Sequence, residues 1–459
     1  MVKQHMKKGS VRRFVPMLGL FAVVLAAAFP LRAQTVEERL AALEGRIRQL
    51  EGELAVARGT TVETGLVGVQ ETDSPLTGAF IRPAVLTTPG SLELASAEAA
   101  APAAAMAPQQ QDPFTGDFEG LSFFRGTRFS GFLDAYYTFD FNEPSEELIT
   151  YRNFDFNPNS LTLSQVMFDM SKPVSESAPL GYMLQLQIGP TSDFVNSGDF
   201  AIGNSTAAHF LQYYLSGRVP VGRGLTLDVG KFVTQHGADV IDTRADWNYS
   251  RGLLFAWAIP YYHFGVRATY PASDKLTLAA FLVNGWNSVI DNNKAKTGGF
   301  QFIWNPTPQI SFIQNYMVGP EQTGEGSPTR HLFDSLLTLK LNDQITFMAN
   351  YDYGMDRNTE DDVHAHWQGI AGYLKFQIAP AFAVTPRFEY FDDRMGFMTG
   401  TAQRLKEFTI TPEFVISENL VTRFEWRRDW SNAESFAVSS PDDDPTVQST
   451  VGVGMILKF

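Results

Sequence analysis

The chain has 459 residues, a net charge of −14 at neutral pH and no cysteine, and 13% of its residues are aromatic. The excess of acidic residues argues against a nucleic-acid partner, which would favour a basic surface. The lack of cysteine excludes disulfides and thiolate metal or redox sites. Repeated apolar runs of about 20 residues, the mark of a helical membrane protein, do not occur along this sequence.

The first segment, residues 1–33, has the parts of an export signal. Residues 1–13 are basic, residues 14–31 are apolar, and the small residue Ala33 follows. We predict a signal peptide cleaved after Ala33. An uncleaved inner-membrane anchor is the alternative, but the apolar stretch is barely long enough to span a bilayer.

Residues 34–59 carry a heptad pattern. Its two seams are formed by Leu40, Ile47 and Leu54, and by Val36, Leu43, Leu50 and Ala57. The alternating spacing of four and three predicts a short α-helical coiled coil in the periplasm, within reach of the cell wall. Because so short a helix is unstable alone, the pattern indicates a homo-oligomer, most simply a trimer. A single amphipathic helix is the alternative.

Residues 60–127 are predicted to be a disordered, low-complexity linker. They include an alanine-rich run at 95–107 and three consecutive glutamines at 109–111. Such a composition cannot bury an apolar core, and it contains no catalytic motif.

From residue 128 onward, apolar residues alternate with polar or small ones in segments of about ten residues, which is typical of transmembrane barrel strands. The pattern predicts sixteen strands, at 128–141, 159–171, 180–190, 208–219, 223–233, 260–270, 274–285, 297–305, 309–319, 330–341, 343–355, 364–378, 382–392, 404–416, 420–430 and 445–459.

The predicted connections alternate in length along the chain. Short turns such as 220–222 and 417–419 alternate with longer loops such as 234–259 and 431–444. This alternation is what an up-and-down outer-membrane barrel produces when both termini face the periplasm. A soluble antiparallel barrel or sandwich, the alternative, has no reason to sort its loops in this way.

The two faces of a predicted strand differ in polarity. In 404–416, one face holds Phe408, Ile410, Pro412, Phe414 and Ile416, and the other holds Glu407, Thr409, Thr411 and Glu413. Charges are costly in lipid but acceptable in a wet lumen. Because unpaired backbone groups are not tolerated in hydrocarbon, we predict an all-β, 16-stranded antiparallel transmembrane barrel over 128–459, wide enough for an aqueous channel.

The chain ends on Phe459, at the end of an alternating strand. We interpret this end as the signal read by the machinery that assembles outer-membrane barrels in lipid.

Several segments of the predicted barrel resemble one known family. They are Gly131–Tyr137, Gly224–Val233, Asp246–Arg251, Ala258–His263, Gly265–Tyr270 and Val283–Asn287. In this order they are similar to the putative β-barrel porin-2 (OmpL-like) family. The resemblance implies an outer-membrane porin-like barrel over roughly 128–459 and supplies no substrate.

The longest predicted loop, 234–259, is the candidate pore constriction, by analogy with general trimeric porins. Its charged residues are His236, Asp239, Asp242, Arg244, Asp246 and Arg251, and the facing wall residues are Arg267, Lys375, Arg387, Glu389, Arg423, Glu425 and Arg427. Acids on the loop opposite arginines on the wall would set a transverse field that filters solutes. Ordinary paired lumen charges are the alternative.

These patterns together favour a channel for passive diffusion of small polar solutes across the outer membrane. A structural tether or adhesin, with the barrel as an anchor, is the second hypothesis. An outer-membrane lipase or protease is the third, but no nucleophile motif supports it. No cofactor or metal is predicted, since the pair His364 and His366 more often indicates solvated residues than a metal site. The mixed charges leave anion or cation preference open.

Overall fold

A computed structural model describes residues 123–144, 148–199, 206–327, 329–358, 363–440 and 444–459. The predicted signal peptide 1–33, coiled coil 34–59 and nearly all of the linker 60–127 lie outside these residues. Within the described ranges, no helix combines the length and the apolar character needed to cross a bilayer.

The described chain forms one closed ring of sixteen antiparallel strands, in which β1 pairs with β16 and every other strand pairs with its neighbours in sequence. The strands are Arg128–Asp140 (β1), Thr162–Lys172 (β2), Leu180–Ile188 (β3), Phe210–Val219 (β4), Leu225–Val233 (β5), Tyr262–Ser273 (β6), Leu276–Val283 (β7), Thr297–Thr307 (β8), Ile310–Gly319 (β9), Arg330–Lys340 (β10), Ile345–Asn358 (β11), Val363–Ala379 (β12), Phe382–Asp393 (β13), Gln403–Ser417 (β14), Leu420–Ser431 (β15) and Val447–Lys458 (β16).

The sixteen predicted strands are confirmed, with ends that differ by a few residues. One difference is at β11 and β12, which stay paired as far as Asn358 and Val363, between the predicted strands 343–355 and 364–378. The charged sequence there indicated a loop. In the structure the inward-facing Asp356 pairs with Arg330 at 2.8 Å, so its charge is accommodated within a strand.

Alternation along each strand separates an apolar exterior from a polar interior. Exposed apolar side chains on outward positions include Leu215, Val229, Leu278, Leu282, Phe300, Phe333, Ile370, Phe388, Phe424, Val451 and Met455. On β13, for example, Phe388 faces outward while its neighbours Arg387 and Glu389 are buried inside. The predicted two-faced strands are therefore confirmed for this barrel.

One end of the barrel carries the short turns and the other the long loops; we call them the short-turn end and the long-loop end. Two short helices lie in long loops: Pro190–Asn196 (α1) between β3 and β4, and Leu253–Trp257 (α2) between β5 and β6. A 3-10 turn, Thr206–His209, precedes β4. At the short-turn end, Phe123 stacks on Tyr182 of β3, so the last residues before β1 contact the barrel.

We predict that Phe388→Arg destabilises the barrel, because residue 388 is 49% exposed on the outward face near the middle of β13. Arginine near the bilayer midplane of a barrel costs about 2–4 kcal/mol. Urea titration of the protein refolded into lipid vesicles should show a loss of this order in the free energy of unfolding.

Ala381→Arg, in the exposed turn that precedes the same strand, is the matched control. It adds the same charge where water is available and should change stability little. Equal losses for the two variants would contradict the assignment of the Phe388 face to lipid.

Candidate functional site

The third long loop, 234–261, which we call L3, folds into the barrel. It leaves β5 after Val233 and joins β6 at Tyr262. Most of its side chains are buried, including Ile241, Tyr249 and Phe255. L3 therefore lies in the lumen.

The second half of L3, residues 252–259, is almost entirely apolar, and this explains its docking. It forms α2 and packs on the lumen side of β12 and β13. The indole N–H of Trp367 donates to the carbonyl of Ala258 at 2.9 Å. A Cβ on the inward-facing Gly369 would lie 2.7 Å from Leu254 Cδ1, so only glycine leaves room for this leucine.

The first half of L3 is polar, and wall side chains bind its backbone. On β15, Arg423 donates to the carbonyls of Thr243 at 2.8 Å and Asn248 at 3.4 Å. Two residues along, the carboxylate of Glu425 accepts from the backbone N–H of Tyr249 at 2.8 Å. These bonds satisfy backbone groups that the irregular loop cannot pair within itself.

Two further arginines bind the same stretch of L3. Arg387 donates to the carbonyl of Ser250 at 2.6 Å and pairs with Glu407 at 2.8 Å. Arg427 donates to the carbonyl of Arg251 at 2.7 Å. The guanidinium groups therefore act as bridges between L3 and the acids of the wall.

L3 also contacts β1, β2 and β16. The Tyr249 hydroxyl donates to Asp134 of β1 at 2.8 Å, and Gln165 of β2 donates to the carbonyl of Ile241 at 3.1 Å. The ring of Tyr249 occupies the space beside Gly454 of β16, where any Cβ would clash with it. This part of the loop thus reaches the side of the lumen where the ring closes.

The start of L3 is held by amide side chains on β9 and β11. Asn315 donates to the carbonyl of Gln235 at 2.8 Å, and the backbone N–H of Ala238 donates to Asn350 Oδ1 at 3.2 Å. L3 is therefore fastened to opposite sides of the barrel and crosses the lumen between them.

Packing around L3 involves the whole ring. Each strand has at least one buried side chain on the lumen side: Asp134, Gln165, Gln187, Gln212, Asp228, Arg267, Phe281, Gln301, Asn315, Asp334, Asn350, Tyr373, Arg387, Glu407, Arg427 and Gln448. The inward positions of every strand therefore include side chains that are buried against the loop or against one another.

The predicted site residues all lie inside the barrel, but not all of them meet L3. The wall residues Arg387, Glu389, Arg423, Glu425 and Arg427 contact the loop. Lys375 pairs with Glu413 at 3.3 Å, and its Nζ lies 5.9 Å from the ring centroid of Trp247 in L3. Arg267 instead pairs with Asp228 at 2.8 Å. Glu389 accepts from the backbone N–H of Leu253.

The loop residues of the prediction also have defined partners. Asp239 lies 3.4 Å from Arg387, Arg251 pairs with Asp246 at 3.1 Å, and Arg244 pairs with Asp242 at 2.6 Å. Burial holds the pKa of His236 well below its usual range, so this ring is neutral. The sequence predicted loop acids that face wall arginines across an open pore. In the structure the loop acid Asp239 and the wall residue Arg387 are instead in contact.

Sequence reasoning missed several residues that hold L3 or line the lumen. They are Asp134, Gln165, Tyr249, Gln301, Asn315 and Asp334. Those on strands stand at inward positions of the alternation, which was the available signal. The contact of each with L3 depends on the path of the loop, which alternation does not encode.

Comparison with known proteins identifies the family. The family described as "Putative beta-barrel porin-2, OmpL-like" matches residues 126–459. The chain belongs to this family. The match covers the whole described barrel and L3, so the lumen described above is that of a porin-like, outer-membrane channel. Membership supports the channel hypothesis and gives no support to the tether.

Solved structures with the same kind of barrel are distant in sequence. An anion-selective porin from Comamonas acidovorans is 8% identical, with a TM-score of 0.49 over 72% of this chain and 99% of that chain. OmpT of Vibrio cholerae is 12% identical (TM-score 0.48, 72% and 97%). The outer membrane channel DcaP of Acinetobacter baumannii is 10% identical (TM-score 0.48, 72% and 97%). No curated protein sequence matches this chain.

We predict that Arg423→Ala loosens L3, because its guanidinium binds several loop carbonyls and Glu413. Removing one partner of a buried, hydrogen-bonded charge pair typically costs about 3–5 kcal/mol. Limited trypsin digestion of the folded barrel should then cut L3 after Arg244 or Arg251, and single-channel conductance should rise.

Arg428→Ala is the control, since Arg428 lies on the same strand but donates to Ser449 of β16. Its digestion pattern should match that of the wild type. If Arg423→Ala folds and L3 stays equally resistant, these bonds do not hold the loop.

Proposed function

We propose that this porin-like channel passes small polar solutes by passive diffusion and that L3 is its constriction. The observation that carries the proposal is that L3 crosses the lumen and is fastened to opposite walls. Charged groups of loop and wall meet at this level, so a solute that passes must replace some of their contacts. Size and polarity are therefore selected at L3.

The family supports a channel rather than an enzyme. Purified, folded protein in a planar bilayer should give stable conductance steps. Well-folded protein that stays silent would support the tether hypothesis, and hydrolysis of lipid substrates would support an enzyme.

We further propose that L3 shifts away from β12 when a solute passes, because α2 of the loop packs against β12 and β13 inside the lumen. The chain has no cysteine, so a single engineered pair tests this movement. Leu254 Cγ lies 3.2 Å from the Cβ position of residue 369, so these two neighbouring positions are chosen for the pair.

The double variant Leu254→Cys, Gly369→Cys should conduct less when oxidised than when reduced, because the disulfide fixes α2 to the wall. Single-channel recordings before and after addition of a reductant provide the measurement. Leu254→Cys alone is the control and should not respond to the reductant. Equal conductance in both redox states of a cross-linked sample would show that solutes pass without movement of α2.

The orientation and maturation of the chain complete the proposal. We place the short-turn end and the N-terminal region in the periplasm, after removal of the signal peptide 1–33. Phe459 supports a role as an assembly signal, because its backbone pairs with Gly131 and its exposed ring contacts Phe168 on the outer surface. The aromatic end of β16 is thus accessible from outside the barrel.

We propose that the barrel assembles as a homotrimer through the coiled coil 34–59, on the basis of its heptad pattern. Native mass spectrometry of the full mature chain in detergent should give a trimer. Deletion of residues 34–59 should lower the trimer fraction at equal protein concentration, while the barrel stays folded. An unchanged trimer after the deletion would assign the association to the barrel itself.

A further inference from the structure

We infer that the channel prefers cations to anions, and that Asp334 and Asp352 contribute to this preference. The inference rests on the proposed function, since selectivity requires a conducting lumen. The juxtaposition that supports it is an acidic arc on β10 and β11, in a lumen where the basic side chains around L3 pair with acids. The sequence alone left the sign of the preference open.

Nine basic side chains of the described lumen and its loops each lie within 4.0 Å of an acid. The pairs are Arg152 with Asp155, Arg244 with Asp169, Arg251 with Asp246, Arg267 with Asp228, Arg330 with Asp356, Lys375 with Glu413, Arg387 with Glu407, Arg423 with Glu413 and Arg427 with Asp429. Their positive charge is therefore largely cancelled locally, and little of it is left to attract an anion.

The acidic arc is different, because amides rather than bases surround it. Asp334 and Asp352 are directly opposite each other on β10 and β11, and both are fully buried on the lumen side. Asn315 donates to Asp334 at 2.6 Å, and Asn350 donates to Asp334 at 2.7 Å and to Asp352 at 3.3 Å. No basic side chain in the described chain forms an ion pair with either carboxylate.

The hydrogen bonds of the arc are also incomplete. Asp352 Oδ2 is buried and has no hydrogen-bond partner among the described residues. A buried, unpaired carboxylate oxygen carries a large desolvation penalty, which a passing cation would relieve.

Other acidic side chains add further negative charge to the lumen. Asp134 accepts from Thr243 and Tyr249, and Glu425 accepts from Thr411 and from loop N–H groups. Neither forms an ion pair within the described residues. Because these acids are on wall strands, the excess of negative charge persists whether L3 stays or shifts.

The test is the reversal potential of single channels in a KCl gradient. The wild type should be more permeable to K⁺ than to Cl⁻. Asp352→Asn should lower the K⁺/Cl⁻ permeability ratio roughly twofold, and the double variant with Asp334→Asn should lower it further, since each change removes lumen charge. Asparagine keeps the shape and the acceptor oxygen for Asn350.

Asp343→Asn is the matched control, because Asp343 is in the turn between the same two strands and its side chain is 97% exposed. It should leave the ratio close to that of the wild type. A wild-type channel that prefers Cl⁻, or a folded Asp352→Asn channel with an unchanged ratio, overturns the inference while the channel function stands. Absence of conductance from folded wild-type protein would instead refute the proposed function itself.

Discussion

Closure of the hydrogen-bonded ring is the constraint on which the rest of this structure depends. In hydrocarbon every backbone N–H and C=O must be paired, so the sixteen strands are stable only when β1 meets β16. Closure then divides the side chains of each strand into an outer set and an inner set. The outer set faces lipid and is apolar, while the inner set is free to be polar and charged.

The closed ring provides the space that L3 fills. An irregular loop brings unpaired backbone groups with it, and these would be costly if they were buried without partners. The wall strands provide arginine and amide donors for loop carbonyls, and carboxylates that accept from loop N–H groups. Arg423 and Glu425 do this for residues 243–250. Buried ion pairs such as Arg387–Glu407 add little net stability. Their effect is to hold the loop in one position.

The sequence predicted the barrel well because a strand in lipid has a strict period of two. Phe408 is apolar because it faces lipid, and Glu407 is charged because it faces the lumen. Each choice depends only on the side of the strand, so the pattern is visible without knowledge of which strands are adjacent. The ends of β11 and β12 were harder, because Asp356 looks like a loop residue until Arg330 is placed beside it.

The site was predicted less completely, for a physical reason. Loop length and the analogy with general trimeric porins indicated that L3 enters the lumen, and the predicted wall residues do face inward. The partners of L3 come from strands far away in sequence, such as Asn315 for Gln235 and Glu425 for Tyr249. The acidic arc of Asp334 and Asp352 likewise depends on the register of two strands, and alternation fixes the face of a residue but not its cross-strand partner.

The position of Tyr249 has a consequence for the order in which the barrel folds. Its hydroxyl binds Asp134 on the first strand, and its ring lies against Gly454 on the last. L3, which comes from the middle of the chain, therefore contacts the β1–β16 junction from inside the barrel. These are the two strands that are synthesised furthest apart in time. The contacts of Tyr249 with both strands can form only once the final strand is in place, so this part of the interior reaches its final structure last. The β1–β16 junction is then held from inside the barrel, where lateral pressure from the bilayer does not act.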